Sequence, residues 1–137
     1  MSPELQAVYR RIAARERVTR EKLFRHVLTA TVREIPDASG CAHPVATVRA
    51  WRRQGLIFAF RHHARDYFPL FQFECGTPKL IVDQVLQLVC PDDGWHALYW
   101  FEGANGWLEG KSPVDVMDSD PSAVLKAARH ANDEISD

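Results

Sequence analysis

The short motifs that carry common catalytic or nucleotide chemistry are missing from this chain. It has no GxSxG elbow, no P-loop, no HExxH helix and no paired CxxC. Gly103-Ala-Asn-Gly106 lacks the Lys-Ser/Thr of a phosphate loop. His96 and the carboxylates after Pro113 lie along helical stretches whose other faces are needed for a core, so no enzymatic activity and no cofactor are expected. Cysteine is scarce: Cys41, Cys75 and Cys90 are an odd number, which argues against a disulfide framework. Cys41 and His43 form an isolated pair and His62 and His63 are adjacent, so the spacing of a zinc site is absent and no metal is expected. Long apolar runs are lacking too. Leu80 to Cys90 is interrupted by Asp83, Gln84 and Gln87, far short of the roughly 20 residues a bilayer requires. The charged N-terminus has no apolar signal segment, so a cytoplasmic location and no membrane partner are expected.

What is present is the length and balance of an ordinary globular protein. The 137 residues, 46% hydrophobic and 26% charged, suffice for one domain or two small ones sharing a core. The net charge of -1 conceals an asymmetry. Residues 1–69 hold 13 Lys and Arg against 6 Asp and Glu, a net of +7, while residues 70–137 hold 4 against 12, a net of -8. The first half suits a polyanion and the second a basic protein, although the halves can also attract each other.

In the first half, Leu5, Val8, Tyr9 and Ile12 recur at helical spacing in an arginine-rich segment, which predicts an amphipathic helix over Glu4–Arg17. Thr19 then reads as the N-cap of a second helix carrying Leu23, Phe24, Val27 and Leu28. A loop over Glu34–Gly40 follows, and a third helix begins near Pro44 and is stopped by Gly55. Leu56–Phe60 and Tyr67–Phe71 read as hairpin strands around a basic tip, Arg61–Asp66. Helix then hairpin is the layout of a winged helix-turn-helix, and VRAWRRQGLIFAF resembles the second helix and wing of small excisionase- and MerR-type regulators. In such a domain Arg49, Arg52 and Arg53 would read bases in the major groove, and Arg61 and Arg65, with His62 and His63 assisting, would neutralise phosphates. The stretch between Val27 and Pro44 is longer than the turn of a compact helix-turn-helix.

In the second half, Leu80 to Leu88 and Gly94 to Phe101 read as two apolar helices, expected to pack as an antiparallel pair. Ser112-Pro113 and Asp120-Pro121 each pair an N-cap with a first-turn proline and so predict two further short helices. The order FPLFQF, regular helix, Trp-rich helix ending WF, then asparagine and WLEGKSP, PVDVM and DPSAVLKAA resembles the toxin-binding domain of Xre/MbcA/ParS-type antitoxins over residues 68 to 131. The family commonly has a second glycine or a small residue where this chain has Glu109, and a basic pair before the proline where it has Lys111-Ser112.

The resemblance implies a mainly α protein with a small β-hairpin: a winged helix-turn-helix-like region over residues 1–67, for DNA binding or dimerisation, and a helical toxin-binding domain over residues 68–137. It implies a type II antitoxin that buries the active site of a cognate toxin, usually an NAD-consuming RES-domain enzyme, and that represses its own promoter as a homodimer. The residues it points to for the toxin are Asn105, Trp107, Leu108, Gly110, Lys111, Pro113 and Asp115, with Trp107 and Leu108 as apolar anchors and with Asp118, Asp120, Asp133 and Glu134 adding negative charge. The same residues are compatible with a stand-alone DNA-binding regulator or with an immunity-like inhibitor that does not bind DNA.

Overall fold

Ser2 accepts a hydrogen bond from the Leu5 backbone and Pro3 occupies the first turn, and together they start α1 (Pro3–His26). The computed structural model describes residues 2–35 and 44–132. Two helices were expected where α1 runs unbroken. No glycine or proline interrupts Arg17–Arg20, and Thr19 donates its hydroxyl to the Arg15 carbonyl one turn back instead of capping a new helix. Only the end of α1 reaches the core, through Leu23 and Phe24. Leu5, Val8, Tyr9 and Ile12 stay exposed.

The next helix, α2 (Val45–Arg53), follows Pro44 and ends where expected. Gly55 takes φ +77°, and the Gly55 and Leu56 amides return to the carbonyls of Arg52 and Trp51, which closes a Schellman motif. The hairpin β2 (Phe60–His62) and β3 (Arg65–Pro69) is tighter than the sequence suggests, pairing Phe60 with Tyr67 and His62 with Arg65. Only His63 and Ala64 form the tip, both with positive φ, which matches the twist of the flanking strands. A strand the sequence reading missed, β1 (Thr29–Ala30), pairs with the other edge of β3 to give the order β1-β3-β2.

A 3-10 turn, Leu70–Gln72, leads into the two-residue strands β4 (Phe73–Glu74) and β5 (Thr77–Pro78), and then into α3 (Leu80–Val89) and α4 (Gly94–Glu102). A second 3-10 turn, Gly106–Leu108, precedes α5 (Pro113–Val116) and α6 (Pro121–Arg129), capped by Ser112 and Asp120 as expected. The expected α3–α4 pair is not the main helical contact, since α3 packs most extensively on α6. Val82, Val85 and Val89 of α3 meet Val124, Ala127 and Ala128 of α6 in one apolar cluster, where the alanines permit close approach.

The described chain is mainly helical with small antiparallel sheets, the fold class expected. Two apolar clusters hold it together, and both draw on residues either side of 67/68. One combines Val27, Phe58 and Phe60 with α3, α4 and α6, and the other places Phe68 and Phe73 beside Val48, Ile57 and Ala59. At their seam Gly94 is packed against the backbone, where a Cβ would come within 1.9 Å of the Ala59 carbonyl oxygen. Beside it, Trp95 donates its indole N–H to the Arg61 carbonyl at 2.7 Å and so fixes the hairpin to α4. The rest of the expected Glu34–Gly40 loop, the Cys41–His43 pair and the tail carrying Asp133 and Glu134 lie outside the described residues.

Candidate functional site

Positions 49, 52 and 53 are one turn apart or adjacent, so α2 turns Arg49, Arg52 and Arg53 to one side while Val48 enters the core. The structure adds Arg65 from β3 and Arg33 from the segment after β1, and the five guanidinium side chains line a cleft of about 550 Å³ whose floor includes Phe68. Among the described residues, Asp66 is the one carboxylate on its lining. Arg52 bonds to it at 3.0 Å and lies 5.7 Å over the Phe68 ring. The aromatic face positions the Arg52 guanidinium in the cleft, and Asp66 offsets part of its charge. Arg61 stands at the edge of the cleft: its guanidinium lies 3.7 Å from the other Asp66 oxygen, it donates to the Ala64 carbonyl, and it lines a neighbouring basin with His62 and His63. Arg33 was missed because nothing local marks it, and only the pairing of β1 with β3 carries it to α2.

The C-terminal residues divide into scaffold and surface. Asn105 accepts from the Trp107 amide, and its own carbonyl receives the amides of Leu108 and Gly110, while its N–H reaches the Lys111 carbonyl. It ties the loop into a closed turn. Leu108 and Pro113 are buried and serve the core beneath that turn. Gly110 takes φ +86° and Glu109 takes φ +58°, so both follow a left-handed path that favours glycine.

Trp107 is 49% exposed and stacks on His130 with centroids 4.0 Å apart, and Lys126 lies 5.9 Å from its ring. Gly110, Lys111 and Asp115 line a cleft of about 630 Å³, whose far wall is formed by His26, Leu28, Phe71 and Glu102. Burial pushes the Glu102 carboxyl above its ordinary pKa, against the pull of His26. Of the other acidic residues, Asp118 pairs with Lys79 at 3.0 Å and Asp120 caps α6.

No family model, curated protein or solved structure matches this chain. Function has to be read from the two surfaces themselves. Among the described residues, the arginine cleft and the cleft beside Gly110 share no lining residue. No helix among the described residues is long and apolar enough to cross a membrane.

Proposed function

We propose that this chain is a type II antitoxin: its C-terminal part docks on a cognate toxin and occludes the toxin's active site, and its arginine cleft binds the DNA backbone of its own promoter. The observation that carries the DNA half is the convergence of Arg33, Arg49, Arg52, Arg53 and Arg65 on one cleft beside Asp66. Such a lining suits phosphates, which supply most of the affinity of DNA-binding proteins. The toxin half rests on the sequence resemblance, supported by the backbone at Glu109. The resembled family carries glycine or a small residue at the position where φ is +58°. Exposed Trp107, backed by His130, is the anchor the docking face offers. The exposed stripe of Leu5, Val8, Tyr9 and Ile12 along α1 leaves a surface for a dimer.

On this reading the toxin is a RES-domain, NAD-consuming enzyme with a basic cleft, complementary to the net charge of -8 over residues 70–137. The test is co-expression of the adjacent reading frame's product with this chain, followed by co-purification. Expected are growth rescue, a stable complex, and loss of both in a folded Trp107→Ala/Lys111→Glu variant. Full rescue by that variant removes the face from the interface. A toxic neighbour that neither binds nor is neutralised defeats the antitoxin reading.

A further inference from the structure

Glu21 of α1 meets the two histidines of the hairpin in a cluster outside both the arginine cleft and the cleft beside Gly110. Successive residues of a strand point to opposite faces. His63 departs from that rule because it opens the turn at φ +48°, and its ring comes to lie beside that of His62, with centroids 4.1 Å apart. Glu21 Oε1 stands 2.5 Å from His63 Nε2 and 3.1 Å from His62 Nε2, and one ligand atom from each of the three residues lies within 4.8 Å of the others. His62 is only 8% exposed, and its Nε2 is sealed from solvent without a hydrogen bond. The Glu21 carboxylate oxygen, 3.1 Å away, faces it at ion-pair distance without meeting hydrogen-bond geometry. A buried polar atom left in this way is uncommon and calls for a ligand.

We propose that Glu21, His62 and His63 form a binding site for a divalent transition metal, zinc being the simplest case, through one carboxylate oxygen and two imidazole nitrogens. Two histidines and a carboxylate are a donor set of open zinc sites, which keep a fourth position for an exchangeable ligand. Bonds of roughly 2.0–2.2 Å at tetrahedral angles set donors about 3.3 Å apart, so the cation enters once Glu21 and His63 separate by under about 1 Å and the two imidazole nitrogens, within 4.8 Å of each other, close by up to about 1.5 Å. Arg17, Lys22, Arg25 and Arg61 line the same basin of about 570 Å³, and their charge opposes a bare cation. The Glu21 carboxylate and an anion in the fourth position offset that opposition, so the open position takes hydroxide, carboxylate or phosphate. The bound metal would clamp α1, which buries no residue of its own, to the hairpin.

The test uses the full chain, stripped with chelator and with its thiols alkylated, because Cys75 and Cys90 are exposed and would compete. Zinc is titrated by calorimetry and cobalt by visible absorption. Expected are one equivalent bound, intense four-coordinate cobalt bands, and loss of affinity as pH falls through the imidazole range. Glu21→Gln and His63→Ala, at positions that leave the core intact, each weaken binding at least tenfold with unchanged circular dichroism, and His96→Ala leaves it as in the wild type. Absence of stoichiometric binding, or equal affinity in Glu21→Gln and His63→Ala, overturns the site.

Discussion

The side-chain amide of Gln72 pairs with both backbone groups of Phe58, accepting from its N–H at 2.7 Å and donating to its carbonyl at 2.9 Å. A second donated bond reaches the Pro69 carbonyl at 3.1 Å. Gln72 is fully buried, and it takes the place of a neighbouring strand for a segment, Ile57–Ala59, that belongs to no sheet. Gln72→Leu keeps the volume but leaves the Phe58 N–H and carbonyl dry and unpaired. The expected loss is about 3 kcal/mol, because each orphaned group costs roughly 1–3 kcal/mol. Urea unfolding checks it, and a loss under about 1 kcal/mol would show that the segment finds other partners.

A gain of stability is expected at Glu109. Its φ of +58° places a side chain in the left-handed region, at a cost of roughly 1–2 kcal/mol that glycine avoids. Glycine also loses more freedom on folding, so the net gain of Glu109→Gly is about 0.5–1 kcal/mol. The shift in denaturation midpoint measures it. A destabilised variant would mean that the exposed Glu109 side chain contributes more than its backbone costs.

How far the sequence announces this structure depends on the range of the cause. Caps are local, so Ser112-Pro113 and Asp120-Pro121 read directly as helix starts, and Gly55 as a helix end. Thr19 misleads because a threonine can either cap a helix or bond back to the turn before it, and here it does the latter. The β1 strand, the bidentate Gln72 and the arrival of Arg33 beside Arg49 follow from contacts across distant parts of the chain. The α3–α6 packing is of the same kind, since the alanines of α6 show a small-residue face but not which helix it receives. Of the basic residues singled out, helical spacing unites Arg49, Arg52 and Arg53, whereas the tightness of the hairpin turn is what sends Arg61 to another basin.

The Glu102 carboxyl gives a pH signature. Burial raises its folded pKa above the unfolded value, with Asp115 adding to the rise, so the folded state binds the proton more tightly. Its favourable contribution is complete below the unfolded pKa and is lost as pH rises through the folded pKa. Glu102→Gln, uncharged throughout, is therefore more stable than the wild type at pH 7, and the difference disappears in acid once the native carboxyl is protonated. Parallel urea titrations at the two pH values check it. A constant difference would assign the effect to packing in the cleft.

The arginine cleft makes opposite predictions for its two kinds of charge. If Arg49 and Arg53 each neutralise one phosphate, Arg49→Ala/Arg53→Ala lowers the slope of log affinity against log salt by about 1.8. Between about 50 and 200 mM salt, the fall in affinity for promoter DNA then shrinks by about tenfold relative to the wild type. Asp66→Asn has the reverse effect at fixed salt. It removes a carboxylate from the cleft lining and frees Arg52, now bonded to it at 3.0 Å, to meet a phosphate, so binding tightens. Arg52→Ala is worse than removal of Arg49, because it subtracts a cation and leaves the Asp66 charge offset only by the more distant Arg61 at 3.7 Å. Fluorescence anisotropy on a promoter fragment at several salt concentrations separates these cases. The pattern, with Asp66→Asn above the wild type and Arg52→Ala below Arg49→Ala, cannot arise from a general loss of folding, which would lower every variant. Identical salt slopes in wild type and double variant would remove the cleft from DNA binding.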